Sequence, residues 1–579
     1  MKKLFLIILL LVVLPSVIAI EGQTKLLAVK EKSDGSFEGS TADLFLEIRD
    51  GSGRVFLDTF PLTKTDTQIS MRFAKEVACN FLEKDCSKYD FIYTIRADSP
   101  IIAGPSAGAA ASVLTAALLE GLKFDPDLAI TGTINAGGLI GPVGGVKEKI
   151  EAGAEAGMKR ILIPAGERYA DTEDINESFD WIVKDDKLRI IIKNETKEKK
   201  IDLFEYGTKI DVEVKEVSTL NDALFKATGK LIRENGKELE LDNKYNEIMK
   251  KLALDLCSRS EELGNISKME DNLTVKGKAA FEDELYYSSA SYCFGANVKY
   301  AHQILEKRNM SEEEINKSIE IIRKNIKKID SRLEEKEKET ITDIEAYGAV
   351  KERLLEAEDF LRNFEGDLYD IAYASERVYS AMSWYEFFIG MGRKFKIDDG
   401  LLKSSCQNKI AEAEERYQYT TLMYPLELED TRKEIDRAYD DLKNESYELC
   451  LFKASKAKAE TDIILGLIGV SKDQLDAVVE RKLDIVKQNI IKETERDIFP
   501  IQSYSYYEYA NVLKETDAYS ALLYAEYALE LANLDMYFVQ EDVFENKQIV
   551  WIIVFLTVFI LEIIIVVVLS KRDKTNKRK

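Results

Sequence analysis

Apolar and polar residues alternate in short runs over the first part of the chain. Leu26-Leu27-Ala28-Val29, residues 42–48 and Val55-Phe56-Leu57 predict strands, separated by Asp34-Gly35 and Asp50-Gly51-Ser52-Gly53, which are hairpin signals. Apolar residues then recur at helical spacing over 71–82, and alternation returns at Phe91-Ile92-Tyr93-Thr94-Ile95. A tight turn at Gly104-Pro105 leads into 107–119, which is dominated by Ala and Leu and predicts a helix beginning beside Ser106. A further helix is predicted over 146–157, strands over 188–192 and 210–214, and a helix over 220–228. Strands followed by mixed strands and helices predict an α+β domain, and about 200 residues are enough for it to have its own core.

Beyond about Glu234 the strand signals stop, and apolar residues recur at helical spacing as far as Met536. Four stripes of mostly small residues stand out: Ser289, Cys293, Ala296 and Tyr300; Ala374, Val378, Ala381 and Tyr385; Cys450, Ala454 and Ala457; Ala521, Ala525, Ala528 and Ala532. Each follows a tyrosine, at Tyr286, Tyr369, Tyr447 and Tyr519, and the pattern predicts helical hairpins stacked like a tetratricopeptide-type solenoid.

The two ends read differently. Lys2 and Lys3 precede an apolar run over 4–18, and Val17-Ile18-Ala19 offers a cleavage site, so 1–19 is expected to be a secretory signal. Residues 549–569 are almost all Ile, Val, Leu and Phe apart from Glu562, long enough to span a bilayer, and a basic tail follows at 570–579. The expectation is a single-pass protein of the cell membrane, with its N-terminal part outside and its C-terminus cytoplasmic.

Composition narrows the chemistry. A serine at a strand-to-helix turn stands clear of the backbone, with the free N–H groups of the helix start where an oxyanion would form. It needs a base, and the chain has one histidine in 579 residues, His302, far along in the helical part. A Ser-His-Asp triad and a His-rich zinc site are therefore not expected. Lysine remains, which becomes a base near neutral pH when burial depresses its pKa. Lys147 and Lys149 both follow the Gly144-Gly145 turn, and being two apart on a helix at most one of them faces Ser106.

Gly104-Pro105-Ser106-Ala107-Gly108, Thr131-Gly132, Gly144-Gly145, Lys149 and Ala156-Gly157-Met158-Lys159-Arg160-Ile161-Leu162-Ile163-Pro164 together resemble the proteolytic domain of Lon-type serine proteases. The resemblance covers roughly residues 24–230. It implies that Ser106 is the nucleophile, that Lys149, 43 residues later, is the base rather than Lys147, and that the Thr131 hydroxyl helps hold the lysine. One departure is Ala103, where the family usually has an acidic residue. No G-x-x-x-x-G-K-[ST] pattern occurs, so the ATPase that Lon-type enzymes usually carry is not expected here, nor is any cofactor or metal. The whole resembles an exported, membrane-anchored, archaeal-like form of the family: a signal at 1–19, a Lon-like peptidase domain at 20–232, a helical repeat-like domain at 235–540, and the span.

The expected activity is ATP-independent serine endopeptidase action, outside the cytoplasm, on unfolded or flexible polypeptides. A ring-like homo-oligomer through the peptidase domain is the expected assembly. The alternatives are a non-catalytic envelope scaffold with the same fold and a self-processing protein.

Six cysteines fall into three sequence-local pairs, Cys79 with Cys86, Cys257 with Cys293 and Cys406 with Cys450, which in an exported chain are expected to be disulfides. The last two would tie the first helix of a hairpin to its second. Seven N-x-[ST] sequons, at Asn176, Asn194, Asn265, Asn272, Asn309, Asn316 and Asn444, fit a glycosylated surface. The net charge is −23, and without the +2 of Lys2 and Lys3 and the +5 of the tail the remainder carries about −30, which argues against nucleic acid as a partner.

Overall fold

The computed structural model describes residues 19–540 except 32–36, 61, 64, 98–104, 172–178, 185–186, 193–199, 234–237, 241–242, 389, 391, 424–427, 468–469, 471–473 and 533. Its first part is built on a sheet of seven strands. These are β1 (Ile20–Glu31), β2 (Phe37–Asp50), β3 (Val55–Phe60), β4 (Tyr89–Ala97), β5 (Leu128–Ile130), β8 (Arg160–Pro164) and β13 (Glu213–Val217), in the order β13-β8-β5-β1-β2-β4-β3. The β13-β8-β5-β1 half is parallel, whereas β2 runs antiparallel to β1 and β4.

The hairpin expected at Asp50–Gly53 does not form, because β4 inserts between β2 and β3 and pairs parallel with β3. The reason is local. The Asp90 carboxylate at the start of β4 accepts from the backbone N–H of Ser52 (2.8 Å) and of Arg54 (3.0 Å), so the loop wraps around the incoming strand rather than folding back.

Helices α1 (Thr65–Leu82), α2 (Gly108–Leu119) and α5 (Leu220–Thr228) contribute to one core, and α3 (Val146–Glu155) lies against β1 and β2. All twelve residues of α2 are buried. Its Ala-rich sequence lets it sit between the sheet and the other helices, where larger side chains would overfill the space. Between these elements lie the short pairs β6 (Thr133–Ile134) with β7 (Ile140–Gly141), β9 (Tyr169–Asp171) with β12 (Lys200–Asp202) and β10 (Phe179–Lys184) with β11 (Lys187–Ile192), and helix α4 (Leu203–Lys209).

From Asn243 onward the described chain is almost wholly helical: α6 (Asn243–Ser267), α7 (Asn272–Glu282), α8 (Tyr286–Arg308), α9 (Glu312–Glu334), α10 (Ile341–Arg362), α11 (Leu368–Trp384), α12 (Asp399–Met423), α13 (Glu429–Lys443), α14 (Tyr447–Gly466), α15 (Leu475–Glu495), α16 (Ile501–Leu513) and α17 (Ala518–Ala532). The four stripes are the buried faces of α8, α11, α14 and α17, although Tyr385 lies just past the end of α11. The expected hairpins are instead triads. Within each of α6-α7-α8, α9-α10-α11, α12-α13-α14 and α15-α16-α17, the third helix packs on both others. Small residues on that third helix allow both approaches at once. All three cysteine pairs are disulfides, and Cys257–Cys293 joins α6 to α8 while Cys406–Cys450 joins α12 to α14, the first and third helices of a triad.

The expected C-terminal transmembrane helix, and with it the single-pass membrane localisation, is corrected. Among the described residues no helix is long and apolar enough to cross a membrane. Even the 25-residue helices α6 and α12 carry charged residues through most of their length. Residues 549–569, the tail at 570–579 and signal residues 1–18 lie outside the described residues.

The helical part is seated on the sheet domain. Leu139 shares a buried apolar cluster with Ile463, Leu467 and Val479. Charges cross the seam as well: buried Lys458 pairs with Glu76 of α1 (2.9 Å) as well as Glu412 (3.2 Å) and Glu530 (3.1 Å), and Lys492 pairs with Glu83 (3.0 Å).

Candidate active site

Ser106 sits in a single helical turn, Pro105–Ala107, that runs directly into α2. It is half-buried. Its carbonyl accepts from the N–H of Gly132 (3.1 Å), and the Gly132 carbonyl accepts from the N–H of Ala109 (3.1 Å). The two loops are thus tied reciprocally, which fixes the serine turn against the end of β5. Gly132 has φ +152, and a Cβ there would come within 2.6 Å of Ile140 Cγ2, so glycine is required. Gly108 faces Ile134 at a similar closeness. Ala107 caps α2 without a side-chain hydrogen bond, leaving the first-turn amides to the backbone and to whatever lies before them. Gly104, and Ala103 with it, lies outside the described residues.

Gly145 takes the left-handed conformation (φ 66) that starts α3, with Val29 against it, whereas Gly144 is exposed in open space. The helix so begun separates the two lysines. Lys147 is on the outer face, 3.4 Å from Glu151 and over the Tyr206 ring. Lys149 points inward and is 3% exposed. Burial pushes its pKa down to about 8, opposed by the charges of Glu167 and Glu148.

Glu167 was not foreseen from the sequence. It follows Pro164 in the loop leaving β8, whose backbone is held by Glu216, accepting from the N–H groups of Gly166 (2.8 Å) and Arg168 (3.1 Å). Burial pushes its carboxyl up to about 7, against the pull of Lys149. The only sequence signal was an acid in a turn directly after an apolar strand. Thr131 is fully buried beside Gly132, its N–H donating to Leu162 O (3.0 Å), and its hydroxyl has no hydrogen-bond partner among the described residues.

The serine turn is thus tied to the carboxyl end of β5, which Thr131 follows, and Glu167, whose charge acts on Lys149, follows the carboxyl end of the neighbouring parallel strand β8, the edge at which open α/β sheets form their crevices. No hydrogen bond joins Ser106 Oγ to Lys149 Nζ among the described residues. His302 is on α8 in the helical part, 3.8 Å from both Glu306 and Asp367.

A serine at a helix start and a buried lysine whose pKa burial lowers are the two groups a serine–lysine hydrolase requires. Residues 84–199 match the family profile of the Lon protease (S16) C-terminal proteolytic domain. The chain is 36% identical over 139 residues to a Lon protease of Paraburkholderia phytofirmans (23% of this chain, 17% of the relative). It is 33% identical over 139 residues to one of Methanosarcina barkeri (23% and 17%), and 49% identical over 74 residues to one of Phenylobacterium zucineum (13% and 9%). The Lon-type resemblance of this part of the chain therefore holds, and the family is one of serine peptidases. The chain spans less than a fifth of the length of these relatives.

Proposed function

We propose that the protein is a serine endopeptidase that cleaves unfolded or flexible polypeptide without nucleotide, with Ser106 as nucleophile and Lys149 as base. The observation that carries this reading is the burial of Lys149, which brings its pKa to about 8. At that value an appreciable fraction is neutral near physiological pH, whereas an exposed lysine would be almost wholly charged. Neutral Lys149 takes the Ser106 proton as Oγ bonds to the peptide carbonyl carbon, and N–H groups at the start of α2 hold the oxyanion. The lysinium then gives that proton to the leaving amine as the C–N bond breaks, and water hydrolyses the acyl-enzyme. The Ser106–Lys149 hydrogen bond forms on substrate binding, as catalytic hydrogen bonds often tighten only in the complex.

Nucleotide independence is supported by the lack of a P-loop pattern in the 579 residues. A ring through the peptidase domain is the assembly we associate with this activity. The test is capture by a peptidyl boronate, followed by boron NMR. A tetrahedral adduct that disappears in Ser106→Ala supports the assignment. A wild-type protein that stays folded and forms no adduct contradicts it, and would favour the scaffold reading, to which the open Ser106–Lys149 pair also lends itself.

A further inference from the structure

The helical array has a feature that the peptidase reading does not use. Tyr287 of α8, Tyr506 and Tyr509 of α16 and Tyr524 of α17 form one continuous aromatic surface. Tyr287 lies 6.2 Å from Tyr506 and 6.1 Å from Tyr509, and Tyr509 lies 4.8 Å from Tyr524. All four are half-buried. None of their hydroxyls has a hydrogen-bond partner among the described residues. Tyrosines in a packed core bury the ring and pair the hydroxyl. These do the first without the second, so their hydroxyls face a recess that water or a ligand fills.

The same recess holds an arginine without an ion-pair partner among the described residues. Arg353 of α10 is also half-buried, with its guanidinium over the Trp384 ring at 4.5 Å. It donates to Ala349 O (2.7 Å) and Ser380 Oγ (3.3 Å) and forms no ion pair with any carboxylate among the described residues. Burial and the nearby charge of Arg377 both lower its pKa. Around it Arg377 pairs with Glu356 and Lys456 with Glu352, while Glu508 accepts from the backbone N–H of Ser288 and Glu460 from the Tyr527 hydroxyl, so among the described residues none of these carboxylates pairs with Arg353. That a chain carrying 104 acidic residues leaves this guanidinium without one is a local exception to its overall acidity.

We propose that this tyrosine–arginine recess binds an extended polypeptide segment through an acidic side chain paired with Arg353, its neighbouring apolar side chains lying on the tyrosine rings. The tyrosine hydroxyls donate to the segment's carbonyl and carboxylate oxygens. An unpaired, partly desolvated guanidinium favours a carboxylate strongly, and rigid tyrosine faces accept varied apolar side chains at low entropic cost. The inference rests on the peptidase reading only for its purpose, which is capture of substrate before cleavage. Position fits that purpose. Helix α17 lends Tyr524 to the recess, while Leu529 further along lies so close to Gly137 that a Cβ there would approach it to 2.8 Å. Gly137 belongs to the turn that follows Thr131 and β6.

The test uses the full chain carrying Ser106→Ala, so that binding is read without cleavage. The probe is a fluorescein-labelled unstructured peptide of Leu, Phe, Ser and Asp, compared with the same peptide bearing Asn for Asp, and read by fluorescence anisotropy. Arg353→Met, which keeps an unbranched apolar side chain but removes the guanidinium, should weaken the Asp peptide about tenfold or more, the usual worth of a charge-assisted hydrogen bond. The Asn peptide should bind Arg353→Met and its parent alike. Tyr509→Phe, which keeps the ring, should weaken both peptides, and Arg308→Met, at the exposed end of α8, should weaken neither. Thermal melts establish that each variant is folded. Equal binding of Asp and Asn peptides to the parent, or undiminished binding by folded Arg353→Met, overturns the proposal, as does preference for an acidic oligosaccharide over the peptide. Because cleavage is not read, failure here leaves the Ser106–Lys149 assignment standing, and failure of that assignment leaves this one standing.

Discussion

The N–H of Gly132 donates to the carbonyl of Ser106 at 3.1 Å, so the strand end that carries Thr131 also holds the serine turn. A Cβ at position 132 would meet Ile140 Cγ2 at 2.6 Å in a conformation L-residues rarely adopt. Gly132→Ala should therefore cost about 1–3 kcal/mol of stability and shift the serine. A displacement of about 1 Å costs on the order of 100-fold in rate, so casein cleavage should fall by that order while the variant still melts cooperatively.

The acid limb of the pH–rate profile should report Lys149. The base must be neutral, so kcat/KM should rise with pH through about 8 and then level off. Glu167 favours the charged form of Lys149. Glu167→Gln should move the limb to lower pH by roughly one unit, and Glu167→Asp should restore most of the original position. A limb that stays put in Glu167→Gln shows that the carboxyl does not act on the lysine.

The same burial costs stability. The folded pKa of Lys149 lies below its ordinary value of 10.5, so between about pH 8 and 10.5 the unfolded chain holds the proton more tightly, and this group's contribution to stability increases with pH across that window. Lys149→Met should raise stability at pH 7 by about 1–2 kcal/mol, partly offset by the loss of a counter-charge for Glu167. The gain should vanish above pH 10.5. Urea melts at pH 7 and pH 10.5 check it.

At the seam, the carboxylates of Glu530, Glu76 and Glu412 outweigh the cost of burial and hold Lys458 well above the ordinary lysine range. Lys458→Met leaves buried Glu530 and half-buried Glu76 and Glu412 with one cation fewer and should cost about 3–5 kcal/mol. Denaturant unfolding should show the loss, and limited proteolysis should cut sooner between the sheet domain and the helices.

The disulfides should differ in worth, since loop-closure entropy grows with loop length. Replacing Cys406 and Cys450 by Ala opens a separation of 44 residues and should cost about 3–4 kcal/mol. The Cys79–Cys86 pair closes only 7, and its loss should cost less in the same melting experiment.

Much of this architecture was legible in the residues because it was local. The Ala-rich α2, the Gly-Gly start of α3 and the small-residue stripes each announce an element through composition and period. The cysteine pairing was legible because partners lie close in sequence. What was not legible depends on contacts between distant segments. Asp90 decides that β4 parts β2 from β3, yet nothing at Asp50–Gly53 encodes that. The third helix of each triad carries the stripe, but a stripe does not say how many helices it serves. Glu167 enters the site only because β8 ends beside β5, and the tyrosine recess exists only where α8, α16 and α17 meet. The C-terminal apolar run gave a clear pattern, but among the described helices none can span a membrane.

The most direct measurement is casein cleavage by the full chain without nucleotide, with Ser106→Ala and Lys149→Met beside it. The account predicts cleavage by the wild type that both variants lose while remaining folded. A wild type as inert as the variants, or a Lys149→Met protein that still cleaves, would contradict it.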